Sequence, residues 1–344
     1  MQMNRLSIVL VLGALMNIIS PANATDIKIA TIAPNHSAWM AEMREAAKIV
    51  KERTAGRVNL KFYGGGVQGA SPKVLQKIKI GQLHGGVFAP TDFMKTYGAV
   101  NLYGMPFAFE SWEEMRYVRI QMDADIASGF DRLNFTTYGF VGSFSMMLSN
   151  EPVRNRSDMK GKKVWLPEGD VVTFEALKAL KLSPVALPVT DVLTGLQTGL
   201  LDMAAIPPEI AVALQWHTRV KYFTDMPVLY AMSFLAIDQR ILNRLSDGDQ
   251  AILAEVLKAS YATMDSKSPI ESRDATEALV NIGIQKVQPD AGELEGLVAT
   301  MSDTNRSIAQ RGILPLGMFE TMQGHINDYR TGNPESVSGM PSGN

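Results

Sequence analysis

The chain of 344 residues contains no cysteine. Disulfide bonds, cysteine-ligated zinc and thiol catalysis are therefore excluded. Histidine is also scarce, and the few histidines lie far apart, with no HExxH motif among them. They are His36, His84, His217 and His325. We therefore predict neither a metal site nor a cofactor.

An excess of charge of either sign is lacking as well. Lys and Arg number 33 against 35 for Asp and Glu, which argues against a nucleic-acid partner because such proteins carry a basic face. Catalytic motifs are missing too. Gly64-Gly65-Gly66 lacks the lysine of a phosphate-binding loop, and Gly142-Ser143-Phe144-Ser145 lacks the second glycine of a nucleophile elbow. We predict that the protein is not an enzyme.

Past the N-terminus, no run approaches the ~18 consecutive apolar residues that a membrane span needs. The N-terminus itself has the pattern of a secretory signal. Arg5 precedes an apolar stretch at residues 6–20, and Pro21 and the small-residue site Ala22-Asn23-Ala24 follow. We predict that residues 1–24 are a cleaved signal peptide and that the mature chain begins at Thr25 in the periplasm.

Strand and helix patterns alternate in the first part of the mature chain. Period-two apolar positions predict strands at residues 26–33, 57–63 and 85–89. A helical apolar stripe at residues 36–54 and a Ser71-Pro72 helix start predict the intervening helices. Strands separated by helices of this length favour parallel pairing and an α/β fold.

One helix–strand unit occurs twice. Residues 71–90 recur in pattern at residues 189–208 with a constant offset, so that Gly81 corresponds to Gly199. Units of this kind are common, so the repeat is either a chance likeness or the mark of two similar lobes, each with its own sheet. In the second case the strand ends near Pro90 and Pro208 face each other across a cleft, where ligands of open α/β sheets bind.

A single long helix is predicted at residues 246–281. Ser246 is its N-cap and Asp249 holds the capping-box position. At 1.5 Å per residue it extends roughly 54 Å, more than one lobe, and Pro269 kinks it. Residues 331–344 are rich in Gly, Ser and Pro and predict a disordered tail.

Several short motifs, in their order and spacing, resemble the periplasmic solute receptors of TRAP (tripartite ATP-independent periplasmic) transporters, the DctP-like family. They are Ala33-Pro34, Thr54-x-Gly56-Arg57-Val58, Gly81-Gln82-Leu83, Met105-Pro106-Phe107-Ala108-Phe109, Asp158-Met159-Lys160-Gly161-Lys162-Lys163-Val164 and residues 192–202. The resemblance implies a two-lobed α/β fold with a cleft between the lobes and one long helix crossing both. Lobe I would comprise residues 25–146 plus 236–270, and lobe II residues 147–235 plus 271–330.

The resemblance also implies a function. The protein would bind one small organic molecule by hinge closure and deliver it to TRAP membrane subunits for uptake, without itself spanning the membrane. The alternative is a secreted sensory module that presents its ligand to a membrane signalling partner.

The family's carboxylate-binding arginine is absent here. Trp165 stands where the family usually has that arginine, and Ser145 stands at a second position that is often arginine. Ile206 and Ala89 likewise replace polar residues of some members. Indole offers one N–H donor and no charge, so it cannot replace a guanidinium in binding a carboxylate.

Three ligand classes follow from these departures. A neutral or aromatic ligand would stack on Trp165 in an apolar pocket with Phe88, Phe144 and Ile206. A small amine would use Trp165 as a cation–π face, with Asp92 or Asp170 as counter-charge. A carboxylate would need an arginine or backbone N–H groups elsewhere. Trp165 could instead be a buried structural tryptophan. The predicted ligand-binding residues are Trp165, Ser145, Phe144, Ile206, Phe88, Ala89, Asp92, Trp39 and Val189.

Overall fold

The structure is a computed structural model that describes residues 24–332. Residues 1–23 and 333–344, which hold nearly all of the predicted signal peptide and tail, lie outside the described residues. Within residues 24–332, no helix is both long enough and apolar enough to cross a lipid bilayer.

Strands and helices alternate along the described chain, as an α/β fold requires. The strands are β1 (Thr25–Ala30), β2 (Val58–Tyr63), β3 (Gly85–Phe88), β4 (Phe135–Ser149), β5 (Lys163–Pro167), β6 (Ser183–Leu187), β7 (Met203–Ile206), β8 (Tyr222–Asp238) and β9 (Gln285–Val287). The helices are α1 (Ala38–Arg53), α2 (Ser71–Lys79), α3 (Trp112–Ser128), α4 (Arg156–Met159), α5 (Val171–Ala179), α6 (Val192–Thr198), α7 (Pro208–Ala213), α8 (Gln239–Leu242), α9 (Asp247–Asn281), α10 (Glu293–Gln310) and α11 (Leu316–Arg330).

The sheet is built from two halves with the same internal order. The strand order is β2-β1-β3-β8-β4-β7-β5-β6, with β9 beside β8. In one half β1 pairs in parallel with β2 and β3, and β3 runs antiparallel to β8. In the other half β5 pairs in parallel with β6 and β7, and β7 runs antiparallel to β4. The half with β1, β2 and β3 is the first lobe below, and the half with β5, β6 and β7 is the second lobe.

The two long strands β4 and β8 pair with each other and join the halves. The predicted separate sheets are therefore hydrogen-bonded into one, because β4 and β8 extend from one lobe into the other. This is the predicted two-lobed α/β fold, with crossing strands between the lobes.

The repeated unit seen in the sequence has the same conformation in both lobes. β3 and β7 occupy corresponding positions of the two repeats. Gly81 and Gly199 follow α2 and α6 with φ values of 75° and 72°. This left-handed conformation suits glycine because it has no Cβ, and it turns the chain from helix to strand. The repeat thus reflects two similar lobes.

Helix α9 is the predicted long helix. Its 35 residues begin after Ser246, whose hydroxyl accepts a hydrogen bond from the Asp249 N–H at 3.2 Å. Pro269 lies inside the helix. One residue earlier, the Ser268 hydroxyl donates to the carbonyl oxygen of Gly142 in β4 at 2.7 Å. The helix packs on α1 of the first lobe and on α7 of the second, so it crosses both.

Helix α11 differs from the predicted division of the chain. The sequence assigned residues 271–330 to lobe II, but Phe319 and Met322 of α11 lie in the apolar cluster of the first lobe with Met115 and Val118 of α3. Helix α10 does pack on α5 of the second lobe. The chain thus returns to the first lobe, where α11 covers the apolar side of α3.

Candidate functional site

The carboxyl ends of β3 and β7 mark where a ligand would lie. β3 ends at Phe88, opposite Phe234 of β8, which in turn pairs with Phe140 of β4. β7 ends at Ile206, opposite Met146 of β4. The stretch of β4 between Phe140 and Met146 therefore spans the gap between the two strand ends. Ligands of α/β sheets bind beyond such ends, so this stretch is the floor of the candidate site.

The floor has one aromatic and one polar side. The ring of Phe144 packs edge-on against Trp112 at 5.2 Å and Tyr230 at 5.4 Å between centroids. Ser143 and Ser145 alternate with Phe144 along the strand, so they face the opposite side. They are 2% and 1% exposed; the Ser145 hydroxyl has no hydrogen-bond partner among the described residues, and the Ser143 hydroxyl interacts with the side chain of Glu209.

Glu209 lies against the polar side of the floor. It is the second residue of α7, which begins directly after β7 and Pro207. Its Oε2 is buried without a hydrogen-bond partner in the described part of the chain. Burial raises the pKa of Glu209 to about 7, the nearby Ser143 side chain lowers it somewhat, and the charge of Glu271 on α9 raises it further.

Acidic residues also follow two other parallel strands. Asp92, after β3, accepts a hydrogen bond from the Ala89 N–H at 2.9 Å, and burial raises its pKa to about 6. Asp170, after β5, caps α5 by accepting from the Thr173 N–H at 2.9 Å, and burial raises its pKa as well. Within residues 24–332 none of Asp92, Asp170 and Glu209 forms an ion pair. Three strand ends thus carry buried carboxyl groups without a basic partner.

Trp165 is a buried residue of the second lobe. Its side chain is 6% exposed, and its ring packs edge-on against Trp216 with centroids 5.1 Å apart. The indole Nε1 donates to the carbonyl oxygen of Leu187 at 3.0 Å. Because its single donor is used within the lobe, Trp165 offers a ligand only apolar surface.

The predicted apolar pocket around Trp165 is not assembled as one group. Ile206 shares an apolar cluster with Trp165, and Val189 packs against that cluster. Phe88 instead lies 2% exposed in the first-lobe core, edge-on to Phe93 at 5.3 Å, and Phe144 packs against the same core. In this core Phe88 gains aromatic contacts and nearly full burial.

The remaining predicted residues lie in the first lobe. Ala89 is exposed at the end of β3, and its N–H binds Asp92. Trp39 is partly buried near the start of α1, edge-on to Phe62 at 6.0 Å. Its Nε1 is buried beside the Tyr261 hydroxyl and lowers the pKa of that hydroxyl, against the larger raising effect of burial.

Two of the contacts between the lobes lie near the strand ends. Val172, at the start of α5, is buried in the first-lobe apolar cluster. On the other side, a Cβ added to Gly66, after β2, would lie 3.8 Å from the methyl carbon of Thr190, after β6. Loops after equivalent strands therefore meet, as expected where lobes close around a cleft.

A small cavity inside the second lobe is not the candidate site. It measures about 40 Å³ and is lined by apolar side chains, among them Phe107, Met147, Trp165 and Met301. Ligand pockets are roughly 300–1,000 Å³, so this cavity is too small for an organic ligand. Among residues 24–332 there is no group of three or more His, Asp or Glu side chains arranged to hold a metal ion.

Sequence reasoning missed Glu209 and Ser143. A signal for Glu209 was available, because an acidic residue follows the strand-end proline closely in both repeats, as Asp92 after Pro90 and Glu209 after Pro208. Ser143 carried no comparable signal, since its importance comes from contact with a residue 66 positions away in another element.

Comparison with known proteins agrees with this architecture. Residues 29–311 match the family model DctP, described as bacterial extracellular solute-binding protein, family 7. The uncharacterized protein YiiZ of Salmonella typhimurium is 25% identical over 229 residues, which cover 61% of this chain and 65% of YiiZ. The 2,3-diketo-L-gulonate-binding periplasmic protein YiaO of Escherichia coli is 20% identical over 215 residues, again 61% and 65%. The chain thus aligns with somewhat less than two thirds of these relatives' length.

Solved structures match over more of the chain. A TRAP periplasmic solute binding protein from Desulfovibrio salexigens with bound orotic acid superposes with a TM-score of 0.81 at 18% identity, covering 88% of this chain and 99% of that one. One from Haemophilus influenzae with bound L-gulonate also gives 0.81, at 15% identity and with 87% and 99% coverage. Fold and family model agree: the chain belongs to the DctP family, family 7 of the bacterial extracellular solute-binding proteins.

Proposed function

We propose that the protein is the periplasmic solute receptor of a TRAP-type secondary transporter. It binds one small organic molecule between its lobes, closes on it, and delivers it to membrane subunits for uptake. Binding and release are its whole task, and no chemical step on the ligand is involved. Family membership supports this proposal, as do the names of the structurally similar proteins.

One observation carries the proposal. The ends of β3 and β7, one from each lobe, converge on the stretch of β4 that both lobes share. A molecule on that stretch touches both lobes at once. Its binding therefore favours the closed arrangement over the open one, which is the physical basis of ligand-driven hinge closure.

The proposed binding residues lie around this floor. Ser145 is part of the floor, and Ile206 ends β7 beside it. Asp92 and Ala89 follow β3 on the first-lobe side. Trp165 and Val189 support the second-lobe wall, and Trp39 and Phe144 belong to the surroundings of the first lobe. We keep residues 25–146 plus 236–270 as the first lobe and 147–235 as part of the second.

The protein acts in the periplasm after cleavage of residues 1–24. β1 begins at Thr25, the residue that this cleavage would make N-terminal, and its backbone N–H binds the carbonyl oxygen of Arg57 at 2.7 Å. N-terminal sequencing of the protein from the periplasmic fraction is expected to start at Thr25. A chain that keeps Arg5 and stays in the membrane fraction would contradict this location.

The receptor proposal is tested by ligand release and by closure. Protein purified from its native host is denatured, and the released small molecules are identified by mass spectrometry. Rebinding of the identified compound to stripped protein is expected to give a stoichiometry of one by calorimetry and a smaller radius of gyration by X-ray scattering. A metabolite panel that gives no heat and no change in scattering would refute the proposal.

A further inference from the structure

Three buried polar atoms with incomplete hydrogen bonding lie at the floor of the cleft. They are the hydroxyl oxygens of Ser143 and Ser145 and Oε2 of Glu209. Buried polar atoms in folded proteins are nearly always hydrogen-bonded, because an unpaired one loses its interaction with water and gains nothing in return. Ser143 and Ser145 lie on one side of β4, and Glu209 of α7 faces Ser143. A hydroxyl oxygen can accept two hydrogen bonds and a carboxylate oxygen more than one, so these oxygens keep acceptor capacity that a ligand can fill.

A cationic hydrogen-bond donor suits these oxygens best. With a pKa of about 7, Glu209 can lose its proton to a bound cation, and its ionised form only accepts hydrogen bonds, while each serine hydroxyl can accept two. The charge of Glu271 also acts on Glu209, and no Lys, Arg or His of residues 24–332 is among the groups that shift the pKa of Glu209. The charge that acts on Glu209 thus favours a cation over an anion beside it.

We propose that Ser143, Ser145 and Glu209 form a recognition site for a protonated primary amine, so that the solute of this receptor is a small amine. The ammonium group carries three N–H donors, one for each of the three oxygens. This inference rests on the proposed receptor function and specifies the ligand class of the same cleft.

The rest of the ligand is apolar. Met146 follows Ser145 directly in β4, and Ile206 lies opposite Met146 at the end of β7. Both belong to the apolar cluster that includes Trp165, whose only donor is bound to Leu187. Such a wall offers dispersion and hydrophobic contact but no further hydrogen bonds. A hydrocarbon or aromatic body attached to the amine fits it.

The other two ligand classes fit less well. A carboxylate at this floor would lie beside Glu209 without a cation to hold it, and like charges at short range disfavour each other. An entirely apolar ligand would leave all three oxygens buried and unpaired. The amine alone supplies both the positive charge and the hydrogen-bond donors that these oxygens accept from.

The test uses pairs of compounds that share one carbon skeleton and differ in the charged group. Suitable pairs are phenethylamine with 3-phenylpropanoate and propylamine with butanoate. Binding to the mature protein, stripped of small molecules by unfolding and refolding, is measured by calorimetry and by the shift in melting temperature. The variants are Glu209→Gln and Ser143→Ala. The matched control is Glu168→Gln, which removes the same charge from an exposed residue of the second lobe after β5.

We expect the amines to bind and their matched acids not to bind. Glu209→Gln should weaken amine binding at least about tenfold and Ser143→Ala by about three- to tenfold, as for hydrogen bonds to a charged group. Glu168→Gln should change it less than about twofold, because exposed charges interact weakly. Circular dichroism verifies that every variant is folded.

Two results would overturn the amine site. One is binding of the acids in preference to the amines, and the other is equal amine affinity in the wild type and Glu209→Gln. In either case the proposed receptor function is still supported, because a ligand binds. A third result that would overturn the amine site is that neither the amines nor the acids bind. The receptor function itself fails only if the host metabolite panel and the scattering experiment are silent too.

Discussion

The indole Nε1 of Trp165 donates a hydrogen bond to the carbonyl oxygen of Leu187, the last residue of β6, at 3.0 Å. Trp165 sits on β5, the strand next to β6, and its ring rests edge-on against Trp216. A residue that stands where an arginine was expected is thus bonded within its own lobe. This relationship makes Trp165 first of all a stabilising residue of the second lobe.

Replacing Trp165 with alanine should mainly lower stability. Removal of a large buried ring is expected to reduce the free energy of unfolding by about 3–5 kcal/mol. Trp165→Phe should lose less, since an aromatic ring remains and chiefly the hydrogen bond to Leu187 disappears. Denaturant titration measures both, with Phe174→Ala, at a 40% exposed position of the same lobe, as control. If Trp165→Ala were as stable as the wild type but lost ligand affinity, Trp165 would instead be a ligand-contacting residue.

The buried carboxyl group of Glu209 should make stability depend on pH. Its pKa is raised from 4.5 to about 7, so the folded protein retains a proton that the unfolded chain releases. The stability contribution of this group therefore falls as pH rises from 4.5 to 7 and is constant above. In the ligand-free protein, Glu209→Gln should match the wild type near pH 4 and exceed it by about 3 kcal/mol near pH 8. Thermal or denaturant unfolding at both pH values measures this difference.

The control for this pH effect is Glu168→Gln, at an exposed site. Its stability difference from the wild type should be the same at both pH values. If Glu209→Gln also gave a constant difference, the Glu209 carboxyl group would titrate normally and would not be buried as described.

Arg119 ties the first lobe to the long helix. It donates to Asp123 of α3 at 2.9 Å, to Asp265 of α9 at 2.6 Å and to the Tyr230 hydroxyl of β8 at 3.0 Å. Its side chain is 10% exposed. Breaking a buried ion pair leaves charges unpaired, so Arg119→Ala should lower the free energy of unfolding by about 3–5 kcal/mol.

The matched control for Arg119 is Arg116→Ala, an exposed arginine one turn earlier on the same helix. It should change stability by less than about 0.5 kcal/mol. Equal effects of the two substitutions in a denaturant titration would show that loss of helix surface, and not the ion pairs, decides the outcome.

The two glycines that end α2 and α6 should respond alike to substitution. Gly81 and Gly199 have positive φ, and an added Cβ would meet nothing within 4 Å at either. Gly81→Ala and Gly199→Ala should therefore each lose about 1 kcal/mol from backbone strain alone. Gly248→Ala, inside α9 and equally uncrowded, is expected to be neutral or stabilising because alanine favours helix. Melting temperatures compare the three, and a gain at Gly81 or Gly199 would contradict the repeated turn.

The local elements could be predicted because their causes are local. Residues 246–281 predicted a helix, and α9 spans Asp247–Asn281 with Ser246 as its cap. The repeat predicted two equal units, and β3 and β7 have matching bounds. Caps, glycine turns and apolar periodicity act between residues a few positions apart, so the order of the amino acids is enough to reveal them.

The sequence could predict where the candidate site lies but not all of the side chains that form it. The strand ends after the two repeats were predicted to face each other across a cleft, and β3 and β7 both end at the shared stretch of β4. Which side chains contact a ligand there remains a prediction. Phe88 turned into the first-lobe core, while Glu209 was missed.

The order of amino acids was enough to predict the α/β alternation, the repeat, the long helix and the absence of cysteine chemistry, and to show that Trp165 stands where the family usually has arginine. The complete fold was needed to establish that β4 and β8 join the lobes into one sheet, that α11 returns to α3, and that the Leu187 carbonyl accepts the hydrogen bond of Trp165. That the oxygens of Ser143, Ser145 and Glu209 lie buried at one floor was likewise established only from the complete fold. Such contacts join residues far apart in the chain, and burial and hydrogen-bond satisfaction select them only when the whole fold is formed.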